Sequence, residues 1–163
     1  MSEKQSLRIS IAEQQLYLQD ASGRVIKQYP VSTSQYGTGN REGSFMTPLG
    51  QHCIHQKIGT GAARNEVFVG RVPMGVLDEL QAAHEPLPED IITSRILWLR
   101  GLEPGINQGG DVDSFQRYIY IHGTNEEDSI GTPASHGCIR MRNEDVIELY
   151  DAVDVDCLVT IEE

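Results

Sequence analysis

The chain has 163 residues, 39% of them hydrophobic and 23% charged, which fits one soluble globular domain, residues 1–163, with a real core. Its formal net charge of −11 argues against a nucleic-acid backbone or an anionic membrane surface as the main partner, since both reward basic patches. No apolar run approaches the ~20 residues of a transmembrane helix, and the start MSEKQSLRIS lacks the apolar stretch of a secretory signal, so a native start at Met1 carries the expectation of a cytoplasmic protein.

Short alternating segments dominate the chain. "LRISIA" (7–12) and "QLYLQ" (15–19) alternate apolar and polar residues as half-buried strands do. "RVIKQYPVS" (24–32) predicts a third strand after a turn at "ASGR". "YGTGNREGS" (36–44) has no periodicity and predicts a surface loop closed by "TPLG" (47–50); "GQHCIHQKI" (50–58) is the next strand. A second loop (59–65) leads to a short strand (66–72). "VLDELQAAHE" (76–85) predicts a helix stopped by Pro86 and Pro88. "IITSRILWLRG" (91–101) predicts a long β-branched strand and 102–114 a loop. "FQRYIYIHG" (115–123) predicts a strand that delivers His122 at its end. A helix over 144–153, with Asn143 as its N-cap, and a strand over 157–161 complete the chain. The fold class this predicts is mostly β, a sandwich or barrel, with one or two short helices.

Three cysteines are an odd number, so no disulfide framework is expected in a reducing compartment. Cys53 and Cys157 fall in strands and read as buried structural thiols. Cys138 differs because it ends the run Ser135-His136-Gly137-Cys138, sixteen positions after His122. A thiol is a weak nucleophile until an imidazole takes its proton. His122 and His136 are both candidates for that base. Gly137 allows a sharp turn whose main-chain N–H groups could face a developing oxyanion. The competing reading is that Cys138 is a core residue and the histidines are surface or hydrogen-bonded groups. No metal site is expected: Cys-x-x-Cys and His-Glu-x-x-His are absent, and His52 and His55, three apart on a strand, point to opposite faces.

The stretch "IHGT…SHGCIRMRNEDVIELY" resembles the signature of the L,D-transpeptidase catalytic domain, the YkuD family. "ISIAEQQLYLQDASGRVIKQYPVS", "TPLG" and "YIYIHGTN" are similar to that domain's opening strands, its next marker and its histidine-bearing strand, in the same order. The resemblance implies a YkuD-like β-sandwich with mixed sheets, no cofactor, and a cysteine nucleophile. It implies attack on peptidoglycan stem peptides, at the L,D bond between diaminopimelate and the terminal D-Ala, with carbapenem-type β-lactams acylating the same thiol. Carried onto this chain, Cys138 is the nucleophile, His122 the general base and the Gly123 carbonyl its orienter. The Gly137 and Cys138 N–H groups are the oxyanion donors. Ser135 and His136 are pocket residues, and Arg140 holds a substrate carboxylate or a structural ion pair. An activated Cys138 is expected to have a low apparent pKa. Loops 36–44 and 102–114 are lid candidates. With no export signal seen, the favoured reaction is hydrolysis: an L,D-carboxypeptidase of muropeptide recycling. The alternatives are an L,D-transpeptidase that forms 3→3 cross-links or exchanges D-amino acids, and a non-catalytic muropeptide-binding module.

Overall fold

The computed structural model describes residues 4–163; Met1–Glu3, and with them the reading of the chain start, lie outside the described residues. The chain is mostly β, as the alternation predicts. Its strands are β1 (Ser6–Ser10), β2 (Gln15–Gln19), β3 (Val25–Ser32), β4 (Gly50–Ile58), β5 (Glu66–Val69), β6 (Val72–Val76), β7 (Ile92–Gly101), β8 (Tyr120–Thr124), β9 (Ile139–Met141) and β10 (Leu158–Glu162). Its α-helices are α1 (Leu77–Ala82) and α2 (Asn143–Ala152). The strands form one mixed sheet in the order β4-β10-β1-β2-β3-β9-β8-β7-β5-β6, and β4 also pairs with β7. That second pairing closes eight strands on themselves, so two sandwich-like faces enclose one core. The pairs β1–β10 and β8–β9 are parallel, and the others are antiparallel.

Period-2 alternation builds the core. Leu7, Ile9, Leu16, Leu18, Tyr29, Val31, Ile121, Ile139, Met141, Val159 and Ile161 turn inward from six strands onto Val146 and Leu149 of α2. Each such aliphatic side chain contributes about 1.5–3 kcal/mol when fully buried. The same alternation decides where the polar residues go. In the β8–β9 pair, Ile121 faces Ile139 and His122 faces Arg140. With Ile121, Ile139 and Met141 committed to the core, Tyr120, His122 and Arg140 are turned to the opposite face.

Some boundaries differ from the sequence-based expectation. The 66–72 segment is a hairpin of two strands, β5 and β6, with Gly70 and Arg71 at its tip, both at positive φ. Helix α1 stops at Ala82, well before the prolines. The expected strand 115–123 begins only at Tyr120: Arg117 N–H donates to Asp113 O, Tyr118 N–H to Phe115 O, and Tyr118 has φ 57°, so residues 115–118 form turns. Residues 139–141, for which the sequence pattern predicts no element, are a strand. Asn143 is not the cap. It is the first residue of α2, and its buried side chain serves tertiary contacts instead. Among the described residues no helix is long and apolar enough to cross a membrane.

Candidate active site

The turn that carries Cys138 is fastened from three directions. Ala134 and Ser135 N–H both donate to Thr33 O, and Gln35 N–H donates to Ser135 O, so the end of β3 forms one wall. Thr47 Oγ1 donates to the Gly137 carbonyl (3.0 Å) and accepts from Ser34 N–H (3.0 Å). Ser135 Oγ donates to the Cys138 carbonyl (2.6 Å) and accepts from Gly137 N–H (3.2 Å). Gly137 sits at φ +125°, a conformation that side-chain-bearing residues rarely adopt. The two clamps on this turn are thus residues 33–35, directly after the "PVS" marker, and Thr47, which opens "TPLG".

Tyr120 N–H donates to Cys138 Sγ (3.3 Å), and the thiol donates to Tyr118 O (3.3 Å). His122 on β8 is fully buried, with Nδ1 2.6 Å from Gly123 O. A carbonyl only accepts, so Nδ1 carries the proton and Nε2 keeps its lone pair. Nε2 has no hydrogen-bond partner among the described residues. Gly123 is required here by space as well as by its carbonyl. A Cβ would lie 2.5 Å from Thr93 O and 2.6 Å from Asn143 Oδ1. Asn143 fixes this corner: its Oδ1 accepts from Thr93 Oγ1 (2.5 Å) and Ser94 Oγ (2.6 Å), and its Nδ2 donates to Thr124 O (2.9 Å).

The electrostatics describe a neutral pair. Burial pushes the Cys138 thiol up to about 12, opposed by the Tyr120 N–H bond; the Asp90 charge adds to the rise, while Arg140 and Arg117 oppose it. Burial also holds His122 below the usual histidine value, with the Gly123 carbonyl opposing. The expected low-pKa thiol is therefore corrected. The thiol's hydrogen bond to the Tyr118 carbonyl fits its protonated form, and burial favours the neutral form of the imidazole.

Partners decide between the two readings of Arg140, in favour of the structural ion pair, and correct one reading of Gly137. Arg140 is buried, and its two arms reach Asp90 (2.7 Å) and Glu126 (3.1 Å), so its charge is already met and it braces the 84–91 and 125–129 segments rather than awaiting a substrate carboxylate. The Gly137 N–H is spent on Ser135 Oγ, which removes it as an oxyanion donor. His136 is exposed at the cleft rim, its Nε2 3.3 Å from Gln35 Nε2 and its Nδ1 3.7 Å from Asp90 Oδ2, between the exposed rings of Tyr36 and Phe45. It is a rim residue, separated from the buried His122 position.

Over the thiol lies a cleft of about 230 Å³ lined by Glu42, Phe45, Arg117, Tyr118, His136 and Cys138, among others. Loop 36–44 therefore borders the site. Loop 102–114 does not behave as a lid: buried Asn107 donates to Leu49 O and Gln51 O, and Ser114 Oγ lies 2.8 Å from His52 Nε2, which stitches the loop to β4. A larger cavity of about 760 Å³, lined by 4–6, 20–23 and 153–158, contains none of these groups; of the thiols it holds Cys157, which is only half-buried and lies just before β10 rather than buried within a strand. Sequence reasoning missed Arg117, Asp90 and the Tyr118 carbonyl, because none lies in a run with recognisable spacing.

The fold is that of solved L,D-transpeptidases. The structure of LdtMt1 in complex with imipenem superposes with TM-score 0.58 at 18% identity, over 98% of this chain and 59% of that one. An L,D-transpeptidase from Mycobacterium smegmatis gives 0.57 at 17% identity, over 99% of this chain and 59% of that one. In sequence, the chain is 44% identical over 54 residues to the putative L,D-transpeptidase YqjB of Bacillus subtilis, 32% of this chain and 31% of that protein. It is 38% identical over 77 residues to the probable L,D-transpeptidase YbiS of Escherichia coli K12, 47% of this chain and 22% of that protein. The chain thus matches a third or less of the length of these two relatives. The L,D-transpeptidase catalytic domain, YkuD, matches residues 4–161, and the chain belongs to that family.

Proposed function

We propose that this chain is one catalytic domain that performs cysteine-dependent acyl transfer on peptidoglycan stem peptides, with Cys138 as nucleophile and His122 as base. The observation that carries the reading is the buried imidazole whose Nδ1 is locked on Gly123 O while Nε2 has no partner. A base oriented by a third group beside a nucleophile is the general logic of such sites. His122 Nε2 takes the Cys138 proton as sulfur attacks the carbonyl of the diaminopimelate–D-Ala bond. The tetrahedral oxyanion collapses, the C–N bond breaks, and the imidazolium returns its proton to the leaving amine of D-Ala. A thioester remains on Cys138. Water, deprotonated by His122, then attacks the thioester, and the thiol is regenerated with a tripeptide product. The Cys138 N–H is the main-chain donor assigned to the oxyanion, and removal of one such donor typically costs ~10²–10³ in rate.

Hydrolysis is the favoured outcome, which makes the domain an L,D-carboxypeptidase. The support is that the cleft over Cys138 opens to solvent, so water reaches the thioester without a second peptide. The setting proposed is muropeptide recycling in the cytoplasm, which fractionation of the native protein tests. Because relatives are named as transpeptidases, amine acceptors are the second reading. Mass spectrometry of the protein with disaccharide-tetrapeptide and free tetrapeptide, with and without D-amino acids, separates the two. Loss of one D-Ala in water alone supports the carboxypeptidase; cross-linked or exchanged product as the main species replaces it. Cys138→Ala should abolish either reaction with the fold intact. A carbapenem should add its mass to the Cys138 peptide and to no other.

A further inference from the structure

Arg117 stands in the Cys138 cleft as a cation without a counter-ion. Its guanidinium is half-buried and donates to Met46 O (2.6 Å), Gly39 O (3.3 Å) and Ser44 Oγ (3.4 Å). Those bonds use three of its five N–H donors, and each acceptor is a neutral oxygen. Among the described residues it forms no ion pair, in a chain whose net charge is −11. Glu42 lines the same cleft and attracts it without reaching ion-pair distance. Burial pulls its pKa below the usual arginine value, the mark of a desolvated charge. A charge held away from water without a partner costs free energy that an arriving anion offsets.

The anchorage places that charge beside the nucleophile. Arg117 directly precedes Tyr118, whose carbonyl accepts the Cys138 thiol proton. Its main acceptor, Met46 O, also lies 3.3 Å from where a Cβ on Gly137 would stand, so the guanidinium and the nucleophile's turn share one neighbour. Arg140, the other arginine near the thiol, is already committed to Asp90 and Glu126. Hence one cation in this cleft is open to a ligand.

We propose that Arg117 receives the C-terminal carboxylate of a short peptide whose last peptide bond Cys138 attacks. In such a substrate only one N–Cα unit separates the scissile carbonyl carbon from the carboxylate carbon, a span of less than about 4 Å. A terminal bond therefore brings an anion to the reacting centre, and an internal bond does not. Guanidinium and carboxylate match as a two-pronged pair. The inference rests on the acyl-transfer reading above and adds to it the residue that would select a free C-terminus at the bond attacked.

The test pairs turnover with a measurement that needs no peptide. A tetrapeptide ending in free D-Ala is compared with the same peptide ending in D-Ala amide, for the wild type, Arg117→Met and Arg117→Lys. The wild type should prefer the acid by about 10- to 100-fold in kcat/KM, the range of a charged hydrogen-bonded pair. Arg117→Met should lose that preference, its loss on the acid exceeding its loss on the amide by about 10-fold or more, and Arg117→Lys should fall between. Equal loss on both substrates would make Arg117 only a brace for residues 39–46 and overturn the proposal. In parallel, Cys138 is alkylated with iodoacetate and with iodoacetamide. In each case the thiolate attacks the CH₂ carbon and iodide leaves, so the ratio of rates cancels the thiol's own ionisation and reports attraction for the carboxylate. The ratio should fall about tenfold in Arg117→Met; an unchanged ratio overturns the proposal. If neither peptide is turned over but the ratio falls, the carboxylate site stands and the proposed substrate fails. If Arg117→Met does not fold, the wild type decides, since no acid-over-amide preference overturns the site.

Discussion

Raising the pH should speed alkylation of Cys138 in the resting protein without a plateau up to about pH 10. The thiol is pushed up to about 12, chiefly by burial. Ionisation falls one decade per pH unit below the pKa, so at pH 7 about one molecule in 100,000 carries the thiolate, against a few per cent for an ordinary cysteine. Only the thiolate reacts with iodoacetamide. The logarithm of the rate should therefore climb by about one per pH unit from about pH 6.5 to 10. Burial holds His122 below the usual histidine value, which favours its neutral form across that interval. Peptide-resolved mass spectrometry provides the assay, because Cys53 and Cys157 are thiols too. A plateau of full reactivity below about pH 8 would reveal a thiolate–imidazolium pair and refute the neutral-pair reasoning. Under that reasoning the proton leaves Cys138 during attack, so His122 acts within the step rather than before it.

Other outcomes follow from the same contacts. His122→Ala should lower turnover by about 10²–10⁴-fold, and His136→Ala by far less; the reverse order would reassign the base to the rim. Asn143→Ala strands Thr93 Oγ1, Ser94 Oγ and Thr124 O, and should cost about 2–4 kcal/mol in urea unfolding, with a loss under about 1 kcal/mol showing that water takes its place. Burial lowers His52 to about 4 in the folded state against about 6.5 unfolded, so its contribution is whole above pH 6.5 and is lost as the pH falls, by about 3 kcal/mol at pH 4. Urea titrations at about pH 7.5 and 4.5 should show a flatter pH dependence for His52→Gln than for wild type; parallel curves would exclude His52 as the cause. Arg140→Met leaves Asp90 and Glu126 unpaired, and should raise KM and loosen residues 84–91 to hydrogen exchange without abolishing thiol alkylation.

Much of the site was legible because its chemistry is local in sequence. His122 and Gly123 are neighbours, so an imidazole bonded to the next carbonyl needs no knowledge of the fold. Ser135 to Cys138 form one turn, and their mutual hydrogen bonds follow from that run. What was not legible depends on distant partners. Asn143 has the chemistry of a helix cap, but Thr93, Ser94 and Thr124 claim its side chain from other strands. Arg140 could not be assigned until Asp90 and Glu126 met it. The extra strand β6 hides behind Pro73 and Gly75, which weaken any strand pattern, and its pairing to β5 supplies what the residues do not. The thiol's raised pKa also escaped the sequence, since burial is a property of the packed fold.

The parallel pairing of β8 with β9 explains why His122 and Cys138 stand so far apart in a compact site. Antiparallel neighbours can be joined by two residues, whereas parallel neighbours need a return path of a dozen or more. Residues 125–138 are that return path, and the clamped turn occupies its last part. The separation is thus bounded on one side only. Deletions within 125–133 would pull His122 and Cys138 apart, while extra residues there would add little more than a slowly growing closure entropy. Gly131 and Pro133 mark an exposed stretch where a peptide tag or a fluorescent domain could be grafted into the middle of the catalytic signature itself.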